Sequence, residues 1–244
     1  MDITVFIGPM ASGKTTTMMN EAKQIKSEEG RTIILLSFAD YLKSMIRETY
    51  GLTKLKAVCD NKDFNDELIE SKLKSWFVTN AIAILGTEYY RTVIDTIDSF
   101  DLDRFKEAIH HCHKNINYKM NYRYIIQFIG TEVGREIHPA FWTTVLIKKI
   151  NALRADGSYT YAQIFIDDLR FVSEYQGLIK FTETYNNQCN INFVVIEASD
   201  ETRRTRLGLS VAEFTEFNAH ESELQIQRVI DLVHKDDRYI TLKN

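Results

Sequence analysis

The chain has 244 residues, 44% of them hydrophobic and 26% charged, with a formal net charge of −4. That length accommodates one α/β domain with an insertion, or two small domains, and either can bury a proper core. The acidic balance speaks against a broad nucleic-acid footprint, which requires a basic face, although 30 Lys and Arg leave room for a local basic cleft.

The apolar run Ile3-Thr4-Val5-Phe6-Ile7 predicts a buried strand, and Gly8-Pro9-Met10-Ala11-Ser12-Gly13-Lys14-Thr15 follows it directly. This octapeptide has the form G-x-x-x-x-G-K-T, and a helix is expected from about Gly13, the context in which that pattern cradles a triphosphate. Gly8 and Gly13 let the backbone wrap closely around an anion, Ala11 and Ser12 are small enough not to obstruct it, and the first helical N–H groups through Thr16 face it. Lys14 reaches the β- and γ-phosphates, and the Thr15 hydroxyl is placed to ligate Mg²⁺.

Thr15–Glu29 reads as a helix stopped by Gly30, with Met18, Met19, Ala22 and Ile25 recurring at helical spacing. Thr32–Phe38 predicts a second buried strand, continuously apolar as a parallel strand should be, and Ala39–Tyr50 the next helix, ended by Gly51. Residues 52–121 change character, with no proline, one glycine (Gly86) and helix-like segments near 66–85 and 101–114. We expect a helical insertion there, forming a cap or acceptor-binding region over the sheet's C-terminal edge. Helices Tyr122–Gly130 and Pro139–Arg154 are predicted next, with Pro139 in the first turn of the second. Strand Ala162–Asp167, a mostly helical Phe171–Asn186 and strand Ile191–Glu197 follow. A lid-like segment at 200–222, helix Leu224–His234 and strand Arg238–Leu242 complete the chain. Alternating strands and helices point to an α/β fold with a parallel sheet of about five strands, covered on both faces, with ligands at the strands' carboxyl ends.

Beyond the phosphate loop, three groups carry candidate chemistry. Asp167-Asp168-Leu169-Arg170 ends a strand, where an acidic residue can hold Mg²⁺ through water or accept from a substrate, or the pair can simply cap the next helix; Asp167 is the metal candidate and Asp168 the acceptor candidate, with the division between the two left open by the sequence. Arg203, Arg204 and Arg206 suit clamping of a transferring phosphoryl group, or form a solvated basic helix face. Arg123-x-x-x-Gln127-x-x-Gly130-Thr131-Glu132-x-x-Arg135 places an arginine fork and an amide on one helix face before Gly130-Thr131 turns the chain. His110-His111-Cys112-His113 invites a zinc reading, but no second Cys/His cluster completes four ligands, so an amphipathic helix is expected. Asn61-Lys62-Asp63-Phe64 resembles a guanine-reading signature with its aspartate displaced, and no D-x-x-G occurs, which favours ATP over GTP.

Together these segments resemble the bacteriophage-type deoxynucleoside monophosphate kinases, whose relatives include animal phosphomevalonate kinases. The matching pieces are Gly8–Thr16; Ser37-Phe38-Ala39-Asp40-Tyr41-Leu42-Lys43, like F-A-x-x-(L/I)-K; Arg123 through Trp142, like R-x-x-x-Q-x-x-G-T-E-x-x-R with a following tryptophan; Asp168-x-Arg170-x-x-x-Glu174; and His220-Glu221-Ser222-Glu223, like H-x-S-E. The resemblance implies a single P-loop kinase domain over 1–244, a three-layer sandwich, moving the ATP γ-phosphoryl onto a deoxynucleoside monophosphate with Mg²⁺ as cofactor. It places Leu42, Lys43, Arg123, Gln127, Gly130, Thr131, Trp142, Asp168, Arg170 and Glu174 at the acceptor, Trp142 as a flat wall for base or sugar, and Arg203, Arg204 and Arg206 in a closing lid. Some relatives carry Asp where this chain has Thr15. A homodimer follows from family analogy alone.

Two alternatives stay open on the sequence. One is a P-loop kinase acting on a hydroxymethylated pyrimidine in DNA or on another small phosphorylated metabolite. The other is a nucleotide-binding module without transfer activity. Cys59, Cys112 and Cys189 are odd in number and far apart, which fits a reducing compartment. With no long apolar run, and Met1 leading straight into the first strand, no membrane span or leader is expected. The expected place is cytoplasmic (the host cytoplasm for a phage protein), with no stable nucleic-acid partner.

Overall fold

The computed structural model describes residues 2–29, 31–52, 65–157, 162–184, 189–235 and 239–243. Gly30, Cys59 and the Asn61–Phe64 string lie outside the described residues, as do parts of the expected insertion and of the segment Phe171–Asn186. The chain divides into two compact units, residues 1–38 with 146–244, and residues 39–145.

The first unit is built on five parallel strands, β1 (Asp2–Ile7), β2 (Ile33–Ser37), β3 (Gln163–Leu169), β4 (Asn190–Glu197) and β5 (Tyr239–Lys243), in the order β2-β3-β1-β4-β5. β1 is central, which explains its unbroken apolar run: Ile3, Val5, Phe6 and Ile7 are all fully buried. Side chains alternate between the two faces with the two-residue period of a strand. Phe6, Phe165, Val194 and Ile196 pack with Met18, Ala22 and Ile25 of helix α1 (Lys14–Glu29). Ile3, Val5, Ile7, Ile164, Ile166, Phe193 and Val195 pack on the other face. Their partners come from helices α8 (Phe141–Ala155), α9 (Val172–Thr184) and α12 (Glu221–Val233). The fold is therefore α/β, with a parallel sheet covered on both faces.

β2 departs from the expected fully buried strand. It lies at the sheet's edge, and Leu35 is 38% exposed. An apolar run of this length suits an edge or a centre equally, so strand order decides the burial.

Chain connections leave β1 toward β2 on one side, and β3 leads to β4 on the other. Order therefore reverses around β1, and a fold of this class exposes its ligand crevice at the carboxyl ends of the strands there. The phosphate loop, Asp167 to Arg170 and the segment after Glu197 all lie at those ends.

The second unit is helical. It holds α2 (Phe38–Tyr50) from Ala39 onward, α3 (Asp66–Ile84), a 3₁₀ turn (Thr87–Tyr89), α4 (Tyr90–Asp98), α5 (Asp103–His113) and α6 (Tyr118–Gln127), and then a π-helical turn (Phe128–Val133), α7 (Gly134–Ile137) and the start of α8. Its core is aromatic: Tyr50, Phe77, Phe105, Phe128 and Phe141 are fully buried, and Trp76 stacks on Trp142 at 6.3 Å between centroids. Asn65 caps α3 by accepting the Leu68 N–H at 2.8 Å. In α5, Cys112 faces this core, where burial pushes its thiol up to about 12, while His110 pairs outward with Asp66 at 2.9 Å. No described helix is long and apolar enough to cross a membrane.

Two expectations for this region are corrected. Gly130-Thr131 does not turn the chain; it continues through the π-helical turn into α7. The reason is packing: a Cβ on Gly130 would sit 2.7 Å from Leu42 Cδ2, and one on Gly134 would meet the Trp142 indole at 2.7 to 2.9 Å. Two glycines let these large side chains approach the helix, whose wider turn accommodates them. Pro139 lies in the turn ahead of α8 rather than in its first turn.

Candidate functional site

Within the first unit, the loop between β1 and α1 has the conformation its residues dictate. Gly8 passes so close to β4 that a Cβ would lie 2.3 Å from the Ile196 carbonyl oxygen, and Gly13 has φ of 102°. Ala11, with φ of 62°, adopts the left-handed conformation despite its side chain, a cost of about 1 kcal/mol that the surrounding structure must offset. The first helical bond is Thr17 N–H to Gly13 O at 3.0 Å. The amides ahead of it belong to the positive end of α1, and Ser12 is fully buried beneath them.

Three successive loop carbonyls each accept from a cation. Lys14 Nζ donates to Pro9 O at 2.9 Å, Arg203 Nε to Met10 O at 2.9 Å, and Arg206 Nη1 to Ala11 O at 3.0 Å. Both arginines come from α10 (Asp200–Leu207), whose N-cap Ser199 accepts the Thr202 N–H. Arg203 is buried, and its other donors go to Asp200, Asn218 and Glu223, so in the structure it braces the loop. Arg206 is exposed. Arg204 lies apart, donating to Leu209 O near its own helix end.

The end of β3 supplies the carboxylates. The register with β1 slips there: Val5 pairs with Ile166 but Ile7 with Leu169, so Asp167 and Asp168 both oppose Phe6. This bulge places Asp168 at φ of 61°, a conformation aspartate tolerates better than most residues. Its effect is to free two consecutive carboxylates from strict alternation. Asp167 is buried and accepts from the Thr15 hydroxyl at 2.9 Å, while Asp168 accepts from Ser37 Oγ at 3.2 Å and lies 3.8 Å from Arg170 Nη2.

Glu223, near the start of α12, ties these parts together. It is buried; Oε2 accepts from Met10 N–H at 3.1 Å and from Arg203 Nη2 at 3.3 Å, and Oε1 accepts from Arg170 Nη1. Burial alone would raise its pKa, but Arg170, the Met10 N–H and Lys14 together hold the carboxyl below its usual value. Lys14 is the counterpart: burial first, then the Arg170 charge, lowers it to about 8, against the opposing pull of Asp168, Glu223 and Asp167. Arg170 stays cationic, because Glu223 and Asp168 outweigh the cost of its burial.

Glu174, expected at the acceptor, reaches back to the backbone at the start of its own helix. Its Oε2 accepts from Arg170 N–H at 2.8 Å and Phe171 N–H at 3.1 Å, the reach-back half of a capping box at the start of α9. Through that bond it fixes the backbone that carries Arg170.

In the second unit, Lys43 lies half-buried on α2, and Arg123 and Gln127 lie half-buried one turn apart on α6. Leu42 and Gly130 are buried against each other, and Thr131 is half-buried beside them. Trp142, expected as a wall for a ligand, is only 3% exposed, and its indole N–H donates to Gly130 O at 2.7 Å. Arg135 Nη1 donates to the same oxygen. Trp142 thus anchors the π-helical turn.

Mg²⁺ suits the Thr15–Asp167 pair: a hydroxyl and a single buried carboxylate are the sparse protein donor set of a cation held chiefly by phosphate oxygens and water. Among the described residues there is no group of three His, Cys, Asp or Glu side chains that would form an all-protein cage.

No protein-family model matches the chain, and no curated protein matches it.

Proposed function

We propose that the chain is a P-loop kinase of the three-layer α/β kind, transferring the γ-phosphoryl of ATP to the 5′-phosphate of a deoxynucleoside monophosphate. One observation carries the reading. The strand–loop–helix with Lys14 and Thr15 has at its side a carboxylate on the Thr15 hydroxyl and an arginine–carboxylate pair, Arg170 and Asp168, from the next strand. A site that only bound nucleotide would need the loop and the metal ligands; the extra cation is what a second anionic substrate requires.

In this reading Thr15 and Asp167 would hold Mg²⁺, which would supply charge neutralisation at the phosphates. Lys14 and the amides at the start of α1 hold the triphosphate tail. An oxygen of the acceptor phosphate attacks the γ-phosphorus as the bond to the β–γ bridging oxygen breaks, and ADP leaves. The acceptor phosphate is already anionic at neutral pH, so no base is needed; alignment and charge stabilisation do the work. Within the first unit Arg170 is the acceptor-phosphate ligand, and Asp168 orients Arg170 or the sugar. Arg206 is the lid cation that completes the site over the phosphates and helps exclude water.

The test is separate incubation with ATP, Mg²⁺ and each deoxynucleoside monophosphate, scored by chromatography. A deoxynucleoside diphosphate is expected from at least one; none from any of them counts against the reading.

A further inference from the structure

We infer that Glu223 is a positioning residue of the transfer site, holding the phosphate loop and the arginine after β3 in register through the two oxygens of one carboxylate. The role rests on the kinase reading above.

The geometry is specific. Glu223 is fixed near the start of α12, where its own N–H donates to His220 O at 2.9 Å and His220 Nδ1 accepts the Ser222 N–H at 3.2 Å. From that fixed base, Oε1 takes Arg170, two residues past Asp168, and Oε2 takes the Met10 N–H in the middle of the loop. Oε2 also takes Arg203, whose Nε holds the neighbouring carbonyl, Met10 O. The carboxylate and the guanidinium together therefore grip the Met10 residue by its N–H and its C=O. The partner segments lie 53 and 213 residues away from Glu223 along the chain.

Stability alone accounts poorly for this arrangement. A buried ion pair gains little over well-packed apolar side chains, because desolvation offsets the attraction. What a carboxylate adds here is geometry. It can accept from several donors at once, and it orients a guanidinium that a hydrophobic side chain would leave to rotate. The charge of Arg170 so held is felt at Lys14, and both cations serve the phosphates in the kinase reading. Loss of Glu223 therefore affects both substrates, although it touches neither.

The experiment compares wild type, Glu223→Gln and Glu223→Asp. It measures ATP affinity by calorimetry, kcat and both KM values by diphosphate formation, and folding by circular dichroism and thermal melting. Glu223→Gln puts an NH₂ group where Arg170, or Met10 N–H and Arg203, must donate. ATP affinity should fall and the acceptor KM should rise, each about tenfold, with kcat reduced by at least as much. Glu223→Asp keeps the charge but loses a methylene of reach, and should fall between the two. A purely structural role predicts lower thermal stability with both KM values and the ATP affinity unchanged, and that result overturns the inference. Should Glu223→Gln fail to fold, Glu223→Asp decides: altered values for both nucleotides support the role, and wild-type values overturn it. Wild-type protein that binds ATP but phosphorylates no acceptor would refute the kinase reading alone, and Glu223 would then be judged on ATP affinity.

Discussion

The Thr15 hydroxyl donates to the Asp167 carboxylate across 2.9 Å, joining the first turn of α1 to the end of β3 over 152 residues of sequence. This contact turns a local sequence motif into a site, because it brings the hard oxygen donors of two elements together beside Lys14. Asp167→Asn keeps the shape and removes the charge. The ATP affinity gained on adding Mg²⁺ should shrink about tenfold, with affinity in a chelator nearly unchanged. Calorimetric titration under both conditions checks it, and equal losses in both would separate Asp167 from the metal.

Lys14 makes nucleotide binding depend on pH. In the free protein it loses its proton near pH 8, and a bound triphosphate favours the charged form, raising that value. Binding therefore takes up a proton above about pH 8, and affinity falls as pH rises through that range while staying flat below it. Titrations at pH 7 and pH 9, in buffers of different ionisation enthalpy, measure both the affinity and the proton uptake. Lys14→Ala should abolish turnover and flatten the profile without loss of the fold.

Gly8 stands where β1 gives way to the loop, with no room for a methyl group between it and the Ile196 carbonyl. Gly8→Ala should destabilise the protein by about 1–3 kcal/mol through overpacking against backbone that cannot yield. Urea denaturation gives the stability, and a weakened ATP affinity in the remaining folded protein is expected, since the loop must shift to fit.

Trp142→Phe tests whether the indole N–H holds the π-helical turn. The substitution keeps an aromatic ring among Trp76, Phe77 and Phe141 but strips one of two donors from Gly130 O. A loss of about 1–2 kcal/mol is expected in chemical denaturation. A larger change, approaching that of removing the whole side chain, would mean that ring packing rather than the hydrogen bond dominates.

The parts of this protein legible in its sequence are those governed by local spacing. β1, the phosphate loop and α1 announce themselves because one strand period, two glycines and one helix period follow each other directly. The carboxylates at the end of β3 are legible as residues, but the bulge that aims them is not, since it exists only in register with β1. Glu223 had no local signal for its role, because its partners lie far off in sequence and only the sheet order unites them. The edge position of β2 depends on the same order. Helix α11 (Val211–Asn218) is a different case. Ser210 and Glu213 form a complete capping box that the sequence displayed as S-x-x-E, and that signal lay within the expected lid. Trp142 and Glu174 enter the acceptor site through the resemblance, and their burial and their hydrogen bonds to backbone, donated by the Trp142 indole and accepted by the Glu174 carboxylate, have no counterpart in local spacing.

The most direct test of the central claim uses ATP labelled in its γ-phosphate, with Mg²⁺ and a mixture of deoxynucleoside monophosphates. Transfer predicts that the label appears in the β-position of a deoxynucleoside diphosphate, that little is released as inorganic phosphate, and that Lys14→Ala stops both. Label released only as inorganic phosphate, or retained entirely in ATP, would contradict the account.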